Sequence, residues 1–202
     1  MTKKETEPGV QEVFDAIVSC LRDAIALDQV VYRSAAIKHA NADDFLSGAG
    51  AAAYGGRWNP LGIRAAYASQ SIDTANMEAY QSILHYGFSP STIRPRVLAG
   101  AQVKLRRVLD LTDQSIRRRL GFTLKELLKE DWLGIQEEGD ESWTQAVGRG
   151  AGAAGFEGLL APSVQDRPNG VNVVIFPDRL LRGSKIVVLG EEELPRHPPR
   201  PK

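Results

Sequence analysis

The chain has 202 residues, 43% of them apolar, with 25 Lys+Arg balancing 25 Asp+Glu. That composition suits one domain with a real core and excludes global disorder, and the zero net charge weighs against a duplex nucleic-acid binder. No apolar run reaches membrane-span length, the charged start Met1-Thr2-Lys3-Lys4-Glu5 lacks the apolar stretch of a signal peptide, and a single cysteine cannot form an internal disulfide. The expectation is a cytoplasmic protein with no membrane contact and no direct nucleic-acid partner, apart from a local basic stripe at Arg117-Arg118-Arg119.

Residues 1–8 are a polar lead. Over 10–27, Val10, Val13, Phe14, Ile17, Val18, Leu21 and Ile25 follow helical spacing, which predicts an amphipathic helix carrying Cys20. Its apolar face requires burial, either on the core or in a homodimer contact. Val30 to Arg33 is strand-like. Residues 41–63, rich in Gly and Ala and ending in Asn-Pro-Leu-Gly, have loop composition with one helical turn near Asp43–Leu46. A short strand over 64–69 follows, and Ser71 is placed to cap a helix reaching Tyr86, with Gly87 as its stop.

Arg96–Leu105 and Val108–Leu111 read as two strands, and Asp113–Leu120 and Thr123–Lys129 as short helices. Residues 130–142 are acidic and loop-like, and 143–154 form a helix rich in small residues. Leu159–Ala161, Val171–Phe176 and Lys185–Leu189 complete the strands. The Pro-rich, charged tail from Glu191 to Lys202 is expected to be disordered. The predicted organisation is a helical extension over 1–29, a core domain over 30–190 and a tail over 191–202. Strands and helices do not alternate strictly, which favours α+β over a doubly wound sheet.

Several common chemistries find no support. His39, His85 and His197 show no metal-like spacing, so no metal is expected. Walker-type phosphate loops, G-x-G-x-x-G after a strand and G-x-S-x-G elbows are missing. What remains is Glu78 in the middle of a helix, preceded by Tyr54-Gly55-Gly56-Arg57-Trp58-Asn59-Pro60 and by the strand carrying Tyr67, with Arg33 further back. One carboxylate, two arginines, turn amides at Gly55 and Gly56, and the aromatics Trp58 and Tyr67 suit a phosphorylated sugar on which positive charge develops. Each feature has a simpler alternative: an ordinary turn with a solvated arginine, core aromatics, a solvated helix face, Ser142 as a helix cap, Ser163 as a turn residue.

The order of these features resembles the RES domain family, from about Val30 to Arg179. The Tyr54–Pro60 turn followed by Tyr67 and Glu78 carries most of the resemblance. Gln145-Ala146-Val147-Gly148, Gly155 to Ser163, and Asn172-Val173-Val174-Ile175-Phe176-Pro177 extend it. The resemblance implies a fold similar to ADP-ribosyltransferase toxins, with a mixed or antiparallel sheet core and surrounding helices. It implies a bacterial toxin that consumes NAD⁺ as substrate, without a cofactor, passing ADP-ribose to inorganic phosphate, to water or to a protein. An inactive NAD-binding module is a lesser alternative. The implied partner is a helix-turn-helix (Xre-type) antitoxin.

By position, Arg33 and Arg57 match the family's arginines, Tyr67 its aromatic and Glu78 its acid. Gly56 and Trp58 belong to the matching turn. Ser142 and Ser163 both stand in family-like segments, and either can be the serine that lines the pocket. Ser34 departs from relatives that carry an aromatic after the arginine.

Overall fold

The computed structural model describes residues 9–85 and 96–196, with the side chains of 81–85 excepted. In chain order the elements are α1 (Val10–Ser19), β1 (Ile25–Ala36), α2 (Ala42–Phe45), α3 (Ala49–Tyr54), β2 (Ala66–Ser69), α4 (Ile72–His85), β3 (Arg96–Asp110), α5 (Gln114–Arg119), α6 (Leu124–Lys129), α7 (Trp132–Glu137), α8 (Trp143–Ala154), β4 (Gly158–Pro162), β5 (Val171–Ile175) and β6 (Lys185–Val188). The polar lead, Tyr86 and the Gly87 stop, and the tail from His197 lie outside the described residues.

Two long strands organise the sheet. β1 and β3 pair antiparallel from Ile25↔Val108 to Ala36↔Arg96. Beyond β3 the order continues through parallel β4, then antiparallel β5 and β2. β2 returns to β1 through one antiparallel pairing, Tyr32↔Ser69. The strands therefore form a closed circuit, and β6 adds antiparallel to the middle of β3. Gly158 permits the β4–β5 contact, since a Cβ there would stand 2.3 Å from the Val174 carbonyl oxygen. This is a mixed α+β architecture, as the irregular element order predicts.

Apolar side chains fill both faces of the sheet, as the period of two along a strand requires when both sides are covered. On β5, Val173 and Ile175 join a core with Leu27, Val31, Phe45 and Leu105. Val174 and the following Phe176 join the other core, with Trp58, Leu109, Val147 and Phe156. α8 forms part of that second core, and α1 packs on α8 through Val13 and Ile17. Val13 and Ile17 of that face are buried inside the chain, whereas Val10 and Val18 stay exposed.

Several elements differ from the sequence expectation. The first helix stops at Ser19; a 3₁₀ turn over Cys20–Asp23 follows, and Ile25 opens β1. Buried Cys20 and the Arg119–Asp23 ion pair hold that turn. Arg33 therefore lies well inside a strand and not at its end. The two strands expected over 96–111 are one. Their apparent break, Arg106-Arg107, is bridged by the Glu157 carboxylate, whose Oε2 accepts from both amides at 2.6 and 2.9 Å. The supposed loops hold α3 and α7; Asp131 caps α7 by accepting from the Gly134 amide. Residues 191–193 form a further 3₁₀ turn. Among the described residues no helix is long and apolar enough to cross a membrane.

Candidate active site

Ser71 starts α4 by accepting a hydrogen bond from the Thr74 amide, as the sequence suggests. Residues four apart share a helix face, so Thr74 and Glu78 both look toward the loop joining β4 to β5. Glu78 is half-buried. Its Oε1 accepts from the Ser163 hydroxyl at 2.6 Å and from Asn172 Nδ2 at 2.6 Å. Asn172 is itself oriented by Ser69, whose hydroxyl donates to its Oδ1 at 2.9 Å. Oε2 of Glu78 accepts no hydrogen bond from the described residues. Oε1 is thus fixed, and Oε2 is the oxygen left for a ligand.

The Arg57 guanidinium donates to the carbonyls of Leu127 and Glu130 at 3.0 and 3.1 Å, tying the turn to the end of α6. Burial pushes its pKa down, against the charges of Glu130 and then Glu78. Arg33 donates from Nη1 to the Tyr67 carbonyl at 2.9 Å, while its buried Nε has no partner. Burial, reinforced by the positive charge of Arg96, lowers the Arg33 pKa to about 10. Neither Arg33 nor Arg57 joins a salt bridge among the described residues. Two partly desolvated guanidiniums outside any salt bridge of the described residues favour an anion.

A model of the RES domain matches residues 19–197. The chain belongs to the RES domain family. It is 32% identical over 132 residues to NAD(+) phosphorylase MbcT of Mycobacterium tuberculosis, spanning 61% of this chain and 69% of that protein. The Mycobacterium bovis protein of the same name matches equally. Among solved structures, the crystal structure of the M. tuberculosis MbcT–MbcA toxin–antitoxin complex superposes with a TM-score of 0.63 at 24% identity, covering 90% of this chain and 98% of that one. That likeness is one of fold.

The remaining expected residues of this RES domain divide sharply. Ser163 reaches Glu78. Ser142 caps α8, accepting from the Gln145 amide at 3.2 Å, 1% exposed. Trp58 is 3% exposed and sits in the core. Tyr67 turns its ring into the protein: its hydroxyl donates to Asn59 Oδ1 at 2.8 Å and accepts from the Trp58 amide at 2.9 Å. Tyr67 thus shapes the Arg57 turn. The amides of Gly55 and Gly56 bond the carbonyls of Ala51 and Asn59 at 2.8 and 2.9 Å, so they do not form the anion cradle the glycines suggest. Gly56 serves close approach instead, since a Cβ would stand 2.5 Å from the Tyr67 hydroxyl.

Two site features escaped the sequence. Asn172 looks like a strand opener, and its bond to Glu78 spans 94 positions. Gln145 braces the arginine turn from α8, donating to the Gly56 carbonyl at 3.2 Å and to Gln136 Oε1 at 2.8 Å. Gly148, one turn later, lets α8 meet the turn closely; a Cβ would stand 1.8 Å from the Trp58 carbonyl oxygen.

Proposed function

We propose that this RES domain cleaves the nicotinamide–ribose bond of NAD⁺ and transfers ADP-ribose to inorganic phosphate, as the toxin of a toxin–antitoxin pair. The observation that carries the reading is Glu78, held through Oε1 by Ser163 and Asn172, with Oε2 bonded by none of the described residues. The names of the MbcT relatives support the acceptor and the toxin role.

The carbon–nitrogen bond at the ribose C1″ breaks and its electron pair returns to the pyridinium ring, which leaves as neutral nicotinamide. A phosphate oxygen then bonds C1″, giving ADP-ribose-1″-phosphate. A glycosidase ordinarily needs a second carboxyl to protonate its leaving group. A pyridinium does not, so one carboxylate suffices and the chemistry asks for no metal. Glu78 accepts from a ribose hydroxyl and offsets the charge of the oxocarbenium-like transition state. At ~4 Å and an effective dielectric near 20, a full charge pair gives roughly 4 kcal/mol, about a thousandfold in rate, as an upper bound. Arg33 and Arg57 take the anionic oxygens of the dinucleotide and of the phosphate acceptor.

The same reading takes the fold as ADP-ribosyltransferase-like with α1 added, the setting as the bacterial cytoplasm, and the partner as a helix-turn-helix (Xre-type) antitoxin. The purified protein is incubated with NAD⁺ with and without phosphate, and products are identified by mass spectrometry. ADP-ribose-1″-phosphate is expected. Free ADP-ribose alone overturns the acceptor, and intact NAD⁺ overturns the activity. Glu78→Gln is expected to keep the fold and lose most turnover.

A further inference from the structure

The Ser163 hydroxyl has no spare capacity. It gives its proton to Glu78 and accepts from the amides of Gln165 and Asp166 at 3.1 and 2.8 Å. Serine has one proton and two lone pairs, so this set is complete. Its direction is therefore set by the loop over 163–170. That loop is closed at its base by the Ser163 amide on the Gly170 carbonyl at 2.7 Å, and internally by the Gly170 amide on the Asp166 carbonyl at 2.8 Å.

A second tie joins the loop to α4. Thr74, 1% exposed, donates from Oγ1 to Asp166 Oδ2 at 2.6 Å. Thr74 Oγ1 also lies 2.7 Å from Ser71 Oγ. Because the Thr74 proton goes to Asp166, Ser71 must supply the proton of that contact, and the chain of donors runs from Ser71 through Thr74 to Asp166. Thr74 and Glu78 stand one helical turn apart on one face, so the loop meets α4 at two points. A single tie leaves a loop free to pivot; two fix its angle.

We propose that Thr74 and Asp166 are positioning residues for Glu78. By anchoring the loop to the first turn of α4, they aim the Ser163 hydroxyl at Oε1 and so hold Oε2 toward the ribose. This rests on the proposed NAD⁺ cleavage. Thr74, at 1% exposure, is out of reach of substrate. A small displacement of a reacting group far outweighs its apparent size, because geometry enters the barrier directly.

The test compares Thr74→Val, which keeps the shape and removes the hydroxyl, with Thr74→Ser, which keeps the hydroxyl. Asp166→Ala and the Thr74→Val/Asp166→Ala double variant complete the set. The parent and Glu78→Gln run alongside. Thr74→Val is expected to lower kcat between about tenfold and a hundredfold with little change in KM for NAD⁺. Thr74→Ser should restore most of it, and the double variant should be no slower than the worse single one. Melting temperatures are measured throughout. A kcat for Thr74→Val equal to the parent's, or a Thr74→Ser as slow as Thr74→Val, overturns the positioning role while leaving NAD⁺ cleavage intact. Multiplying single-variant effects in the double variant overturns it as well. No NAD⁺ turnover by the parent, or full turnover by Glu78→Gln, overturns the functional reading and this inference with it.

Discussion

Ser163 donates to Glu78 Oε1 across 2.6 Å, joining a loop and a helix 85 positions apart in the chain. The contact separates the two serines that the sequence leaves equal. Ser163→Ala should lower NAD⁺ turnover, because Oε1 then keeps only Asn172 as a donor. Ser142→Ala should instead remove a helix cap and cost about 1 kcal/mol of stability with turnover largely retained. Melting curves and initial rates of the two variants, side by side, check this. Equal rate losses would place Ser142 in the reaction.

Arg57→Lys keeps one charge and loses the planar fork. Nη1 of Arg57 is committed to the Leu127 and Glu130 carbonyls, so a ligand must use the rest of the guanidinium. A lysine ammonium gathers its donors at one point and lacks the second side of the fork. The variant should raise KM for NAD⁺, measured at saturating phosphate, by about tenfold. An unchanged KM would remove Arg57 from the anion site.

Tyr67→Phe tests whether the aromatic is an architectural residue. The phenol oxygen satisfies the Trp58 amide and Asn59 Oδ1 in a buried turn. Its loss should cost about 1–3 kcal/mol in denaturant unfolding, with an otherwise unchanged rate per folded molecule. A rate loss without a stability loss would return the ring to the ligand.

Glu157 supplies a pH prediction. Burial pushes this carboxyl upward, but the amides of Leu181, Arg106 and Arg107, which donate to it, outweigh burial and hold it below its ordinary value of 4.5. A carboxylate whose pKa falls on folding adds stability above its unfolded pKa. That contribution disappears as pH drops through the folded value. The melting-temperature gap between the parent and Glu157→Gln should therefore be widest near neutrality and shrink below about pH 4.5. A gap independent of pH would refute the account.

Local signals were readable where local physics decides. Ser71, Thr123 and Ser142 start their helices as caps do, and the apolar runs near Leu159, Val171 and Lys185 become β4, β5 and β6. Long-range pairing decided the rest. Ile25 fits a helical stripe, yet β3 draws it into a strand. Arg106-Arg107 looks like a break, yet Glu157 stitches it. In the candidate site, Glu78 and the arginines stand out by their order along the chain, since spacing alone makes Glu78 a solvated face. Asn172 and Asp166 reach α4 only because β4 and β5 are neighbours, and no local pattern carries that information.

The strand circuit is stitched unevenly. Its β1–β2 junction has a single strand pairing, Tyr32↔Ser69, and next to it the Arg33 fork holds the Tyr67 carbonyl where an adjacent strand's amide would ordinarily do so. One guanidinium is thus mortar for the barrel's thinnest joint and, in the proposed function, an open hand for phosphate oxygens. Cutting Arg33 back to alanine would loosen the wall and empty the hand together, so lost turnover in such a variant should arrive with a lower melting temperature.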